Sequence, residues 1–249
     1  GEREGFGFRS AWRFHSAAPW IDITYDLAGG WTEAPQAARF CFPLALAQPT
    51  YRYDAAGALQ VAAPLAVGGD DLPGANPALY AAQTFASAFD GRRGAILLMP
   101  DTLLVDVGLA GVPGGGAVPA PAVVAVPMMN LTRNDWQFDQ GGERAWRFRY
   151  RLILADGPYE ALQPIREAQH FGVPAWLQAP GEPPAVPGLE ALDVRFEGGP
   201  AVALKLAEDG VRLILRLWNA LDRSVEGSVH LPTGMARAQL CDALARPLE

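Results

Sequence analysis

Trp20-Ile21-Asp22-Ile23-Thr24-Tyr25-Asp26-Leu27 alternates without a break, apolar at 21, 23, 25 and 27 and polar at 22, 24 and 26. A side-chain period of two belongs to a strand with one face buried and the other in water. Gly29-Gly30 ends the run. The same period governs residues 6–14, with Phe6, Phe8, Trp12 and Phe14 on one register, and so predicts a second half-buried strand. In residues 146–152, Arg147, Arg149 and Arg151 take one face and Trp146, Phe148, Tyr150 and Leu152 the other. Residues 39–42, 94–99, 103–107 and 123–126 read as further strands. The 27 glycines and 22 prolines that punctuate these runs suit a many-stranded antiparallel sandwich.

One helix is expected over residues 158–171, where Tyr159, Leu162, Ile165 and Ala168 form a helical stripe and Gly172 is the stop. Pro164 lies inside it and is expected to kink or split it. Residues 178–188 hold four prolines and read as a stiff linker. Residues 201–206, 212–218, 227–231 and 236–241 follow as four short strand candidates. The expected organisation is therefore a large β domain over 1–177, a linker over 178–188 and a small β module over 189–249.

The chain has 249 residues, half of them hydrophobic and 19% charged, which is enough apolar material for a real core. Its net charge is −7 and no basic stripe appears, so nucleic acid is not an expected partner. Lys205 is the single lysine, and every other basic side chain apart from histidine is arginine. No run of about 18 apolar residues occurs, so no membrane helix is expected. No apolar run follows a basic start, and a cytoplasmic location is the expectation. The chain opens Gly1-Glu2-Arg3 without methionine, which points to a fragment of something longer. Cys41 and Cys241 are isolated and are expected to be buried free thiols, not a disulfide or a metal pair.

A catalytic centre is hard to build from these residues. His15, His170 and His230 fall on different elements, with no Cys, His or Asp at ligand spacing, and HExxH, CxxC and GxSxG are absent. Asp70-Asp71, within Gly68-Gly69-Asp70-Asp71-Leu72-Pro73-Gly74, is the most conspicuous acidic pair. Glycosidases use two carboxylates about 5–10 Å apart, but neighbours in an extended loop point different ways. The pair has two readings: a turn whose carboxylates hold backbone amides, or a binding loop. Residues 128–143 carry Asn130, Arg133, Asn134, Asp135, Trp136 and Gln140, a mixture suited to sugars. A planar ring stacks on a pyranose face while amides and carboxylates bond to hydroxyls. The same stretch also reads as a connection before the long 144–155 strand, with Trp136 filling the core.

That segment, from Asn130 through Gly142 into Phe148-Arg149-Tyr150-Arg151-Leu152, resembles the C-terminal region of the family 38 glycoside hydrolases, the α-mannosidase family. There a Trp-containing, Asn-rich loop and a Gln-Gly turn lead into a similar strand. Ile165-Arg166-Glu167-Ala168 with Gly172-Val173-Pro174 resembles the family's helix and exit. Leu213-Ile214-Leu215-Arg216-Leu217-Trp218-Asn219, Val225-Glu226-Gly227 and Ala238-Gln239-Leu240-Cys241-Asp242-Ala243-Leu244 resemble its closing pattern. Tyr80 to Phe85 and residues 94–101 fit the strands before it. Leu131-Thr132-Arg133 departs from the family's loop, where Asn-Asn and aromatic residues are usual.

The resemblance implies an all-β fold: a galactose-mutarotase-like supersandwich followed by a small β-sandwich module. It implies a C-terminal accessory region that packs on a zinc-dependent N-terminal catalytic domain of the same polypeptide, with carbohydrate as the ligand. The zinc and the catalytic aspartates would belong to that domain, and no cofactor is expected in this chain, which by itself should be inactive. Asn130, Arg133, Asn134, Asp135, Trp136 and Gln140, with Asp70 and Asp71, are then the candidate substrate-binding residues. The competing reading is a stand-alone carbohydrate-binding or structural β-sandwich module. A mutarotase would need a His/Glu acid–base pair in a cleft, which three scattered histidines do not supply.

Overall fold

A computed structural model describes residues 7–29, 37–75, 79–107, 121–129, 145–172, 192–199, 201–231, 237–242, 244 and 246–248. The chain divides into two compact units, Gly1–Val173 and Pro174–Glu249.

The first unit contains β1 (Gly7–Phe14), β2 (Trp20–Ala28), β3 (Ala37–Pro43), β4 (Thr50–Ala55), β5 (Ala58–Val61), β6 (Tyr80–Ala81), β7 (Phe85–Phe89), β8 (Arg93–Leu98), β9 (Leu104–Val107), β10 (Ala122–Met129), β11 (Ala145–Asp156) and the helix α1 (Leu162–Gly172). Seven strands form one sheet in the order β1-β2-β11-β8-β7-β4-β5, and four form a second in the order β3-β10-β9-β6. All pairings are antiparallel. The fold is an all-β sandwich.

The core lies between the sheets. Ile23, Tyr25 and Leu27 of β2, Phe148 and Tyr150 of β11 and Ala95 and Leu97 of β8 meet Phe42 of β3, Val123 and Ala125 of β10 and Val105 and Val107 of β9. The alternation in β2 translates directly into these inward positions, while Asp22, Thr24 and Asp26 stand on the outer face. Opposite them on β11 stand Arg151, Arg149 and Arg147. Arg151 and Arg147 pair with Asp22 and Asp26, and Arg149 reaches Asp101. The three-arginine face is thus neutralised by carboxylates across the sheet.

The outer face of the large sheet also buries Phe85, Phe89, Ile96, Leu98 and Ile153, with Ile165 and Ala168 of α1. The helix begins four residues later than its stripe suggests. Pro164 is the third residue of the helix, in the first turn where amides have no intrahelical partner, so it is accommodated and neither kinks nor splits it. Pro127 lies inside β10, and the ladder with β3 shifts register between Ala125 and Met128, a bulge at a residue that has no amide hydrogen to donate.

Two expectations are corrected in this unit. β1 is a strand, but all eight of its residues are exposed instead of half-buried. It is an edge strand of the wide sheet and extends past the narrower one. Cys41 is exposed, not buried, because Phe40 and Phe42 take the inward register of β3 and Cys41 the outward one.

The second unit holds β12 (Asp193–Phe196), β13 (Ala201–Leu206), β14 (Leu213–Leu217) and β15 (Gly227–His230), paired as β12 with β15 and β13 with β14. Three of the four strand candidates for this region are present. The fourth, 236–241, shows only an isolated bridge between Cys241 and Pro247 among its described residues, and β12 takes up the pairing. Cys241 is exposed as well, and both thiols are free. The proposed linker, 178–188, lies outside the described residues. No helix among them is long and apolar enough to cross a membrane.

Candidate functional site

Asp70 and Asp71 lie in the loop between β5 and β6, and the loop is built around them. A single 3-10 turn, Leu65–Val67, ends at Gly68 in the left-handed region with φ 82°, a conformation glycine adopts without strain. At Gly69 a β-carbon would sit 1.9 Å from the Ala63 carbonyl oxygen, so only glycine fits there. The backbone then closes on itself: Asp70 N–H donates to Val61 O at 3.0 Å, Asp71 N–H to Ala63 O at 2.9 Å and Leu65 N–H to Asp71 O at 3.0 Å.

The two carboxylates diverge. Asp70 Oδ2 accepts from the Val61 amide at 2.6 Å, and Asp71 Oδ2 accepts from the Tyr80 hydroxyl at 2.8 Å. Asp70 is exposed and Asp71 half-buried. The Tyr80 and Tyr53 rings meet at 4.9 Å. Burial pushes the Tyr80 hydroxyl well above its ordinary range, and its hydrogen bond to Asp71 pushes it further. Burial raises Tyr53 too, with Asp71 and Asp70 adding to it. Tyr80 therefore remains a donor, and Asp71 is the acceptor that fixes it. Around this loop Leu65, Val67 and Leu72 are exposed at 56%, 73% and 67%. The loop thus sets one exposed carboxylate, Asp70, among three exposed aliphatic side chains.

Asn130, Arg133, Asn134, Asp135, Trp136 and Gln140 lie outside the described residues. Their flanks are described. Met129 closes β10 opposite Ala37, and Ala145 opens β11 opposite Ala28. Val61, which Asp70 holds, belongs to a rung that runs through Arg52, Ser87 and Ile96 to Ile153. Ala145 and Ile153 are separated along β11 by about 26 Å at the rise of a strand, and β5 and β11 are four places apart in the sheet order. The structure thus sets Asp70 and Asp71 at a different corner of the sandwich from the strand ends that carry the 130–144 connection.

A cluster the sequence reading missed sits on the outer face of the large sheet. Asp22 accepts from His15 Nε2 at 2.9 Å and from Arg151 Nε and Nη2 at 2.6 and 3.1 Å. The Arg151 guanidinium also lies 4.8 Å from the Trp20 ring centroid and 4.7 Å from that of Phe171. Every charged group there has a partner, which makes the cluster a clamp between α1 and the sheet. Its signal was the alternation itself, which placed Asp22 and Arg151 on outer registers without revealing that the strands are neighbours. A concavity lined by Ala47, Asp90, Arg92, Arg93 and Asp156 lies elsewhere. Its Asp90 is taken up by the amides of Ala47, Arg92 and Arg93.

Among the described residues no three His, Cys, Asp or Glu side chains converge to hold a metal ion.

No family model matches the sequence, and no curated protein matches it. Solved structures do resemble it. One is a protein in the glycosyl hydrolase family 38 from Enterococcus faecalis, with a TM-score of 0.68 and 16% identity over 98% of this chain and 27% of that one. Another is an α-mannosidase from Enterococcus faecalis V583, with a TM-score of 0.67 and 17% identity over 98% of this chain and 26% of that one. At such identity the likeness is one of fold: this chain has the fold of a region that makes up about a quarter of those longer chains, one a family 38 glycosyl hydrolase and the other an α-mannosidase.

Proposed function

We propose that this chain is the C-terminal accessory β region of a larger α-mannosidase-like glycoside hydrolase. The observation that carries the reading is the coverage: 98% of the chain matches, and it fills only 27% and 26% of the two hydrolases. In this reading the metal and the catalytic carboxylates belong to the rest of the polypeptide, and the sandwich packs against that part. The connection holding Asn130, Arg133, Asn134, Asp135, Trp136 and Gln140 borders the sugar cleft. Its composition supports this, because a ring, amides and charges together recognise a carbohydrate. The Asp70–Asp71 loop, with its exposed Leu65, Val67 and Leu72, presents a second surface toward the same polypeptide.

The test uses the polypeptide expressed from the full reading frame. Asn134→Ala is expected to lower kcat/KM for an aryl α-mannoside while the melting temperature stays nearly unchanged. A destabilised variant with intact turnover per folded molecule would make the connection scaffold and remove it from the cleft. A full-length protein that cleaves no α-mannoside would leave the stand-alone carbohydrate-binding or structural module as the reading.

A further inference from the structure

The two sheets of the sandwich are unequal, and among the described residues the mismatch leaves one place unfilled. β1 is the outermost strand of the seven-stranded sheet, and β3 the outermost of the four-stranded one. Phe8, Trp12 and Phe14 pair with Leu27, Ile23 and Ile21, so they point to the same side as the core-facing residues of β2. They are nevertheless exposed at 67%, 46% and 71%. The strand that roofs this side is β3, and it stops one strand short. Its Phe40 stacks on Tyr25 of β2 with ring centroids 4.0 Å apart and tilts against Tyr150 and Phe148 of β11. β3 therefore covers β2 and β11, and nothing among the described residues continues its sheet beneath β1.

The outer edge of β3 carries backbone amides and carbonyls that no described strand pairs. A strand laid along it, about 4.8 Å further out, would lie under Phe8, Trp12 and Phe14 and complete the sandwich. An edge of this kind with an aromatic face beside it is ordinarily covered, since soluble proteins guard their free strand edges.

We infer that an extended apolar segment from the remaining part of the same polypeptide adds to the β3 edge and buries the aromatic face of β1. This rests on the reading of the chain as a region of a larger hydrolase, and the length of chain in the matched hydrolases selects that occupant. The matched hydrolases devote about three quarters of their length to other chain. The surface also adjoins the strand ends that carry the 130–144 connection: Gly7 and Ala145 both pair with Ala28, and Met129 pairs with Ala37 of β3. The segment that covers β1 thus anchors the sandwich next to the connection assigned to the cleft. The chain's own residues 30–36 and 130–144, which join these same strand ends, and a second copy are the competing occupants.

Hydroxyl-radical oxidation read by mass spectrometry tests this without any substitution, with an added dosimeter peptide normalising the dose. Phe8, Trp12 and Phe14 are expected to oxidise rapidly in the 249-residue chain and several-fold more slowly in the full-length polypeptide. Equal rates in the two would overturn the inference. Slow oxidation already in the 249-residue chain would overturn it too, in favour of the chain's own residues if light scattering shows a monomer and of a second copy if it shows a dimer. The result stands apart from the hydrolase reading, which is judged by mannoside cleavage. Protection without cleavage keeps this docking and removes that activity, and cleavage without protection does the reverse.

Discussion

Asp54 is a buried carboxylate on β4 that accepts from the amides of Gln83, Thr84 and Phe85 at 3.2, 2.8 and 3.0 Å and from the Thr84 hydroxyl at 2.6 Å. It ties the end of β4 to the entry of β7. The Gln83 amide also donates to the Asp54 carbonyl at 2.9 Å, so Asp54→Ala takes this side-chain acceptor chiefly from the Thr84 amide and hydroxyl and the Phe85 amide and should cost about 3 kcal/mol, read as a lower denaturation midpoint in urea. Asp101 acts at the surface of the same unit. Hydrogen bonds from the Arg149 side chain hold its carboxyl below the usual range, more than offsetting its burial. At Asp22, burial acts to raise the carboxyl, but Arg151 and His15 together bring it down. A carboxylate with a depressed folded value stabilises the fold above the unfolded value near pH 4 and loses that contribution as pH falls through the folded value. Asp106 has the opposite sign: burial raises it despite its bond to Arg39, so its contribution fades as pH rises. Acid titration of stability should therefore show a loss below about pH 4 that is smaller in Asp101→Asn.

At the scale of elements, Arg151 is the residue on which α1 turns. It is bound to Asp22 and lies between the rings of Trp20 and Phe171. Arg151→Ala should speed amide exchange across residues 162–172 and cost about 2 kcal/mol, while Arg151→Lys, lacking the planar fork, should restore only part of it. Much of this element level was readable. The period of two gave β1, β2 and β11 and assigned their faces, because alternation is a property of each strand alone. What a strand lies beside is not. One of the two sheet neighbours of β2 is β11, and Asp26 and Arg147 are 121 residues apart, so their pairing could not be read from either stretch. The alternation of β1 is as regular as that of β2, yet one is exposed and the other buried. The difference lies in the width of the opposite sheet. Thr50–Ala55 alternates too, with Tyr51, Tyr53 and Ala55 against Thr50, Arg52 and Asp54, but the run is short and Asp54 beside Ala55-Ala56-Gly57 reads as a turn. Of the candidate site, the divergence of Asp70 and Asp71 was readable from their adjacency. Their distance from the strand ends around 130–144 was set by sheet order and was not.

At the scale of the molecule the two units differ in how they are held together. Every buried apolar side chain among the described residues belongs to the first unit. In the second, Leu204, Leu206, Val211, Leu240, Leu244 and Leu248 are exposed. Burial of apolar surface is the main favourable contribution to folding, so the second unit should open first. Limited proteolysis of the 249-residue chain is expected to cut within Pro174–Glu249 and leave a resistant fragment ending near Val173. Survival of the second unit with the first digested would contradict this. The isolated chain is also expected to hydrolyse no aryl α-mannoside and to hold no stoichiometric zinc. Metal analysis with one tightly bound zinc per chain would refute that expectation.

The outward register that exposes Cys41 on β3 has a practical consequence. The chain has two cysteines, Cys41 in the first unit and Cys241 in the second, both exposed and free. A nitroxide attached to each yields one spin pair per molecule, with one spin on either unit. Pulsed dipolar spectroscopy on these 249 residues then returns the distribution of separations between the two units directly, without any substitution.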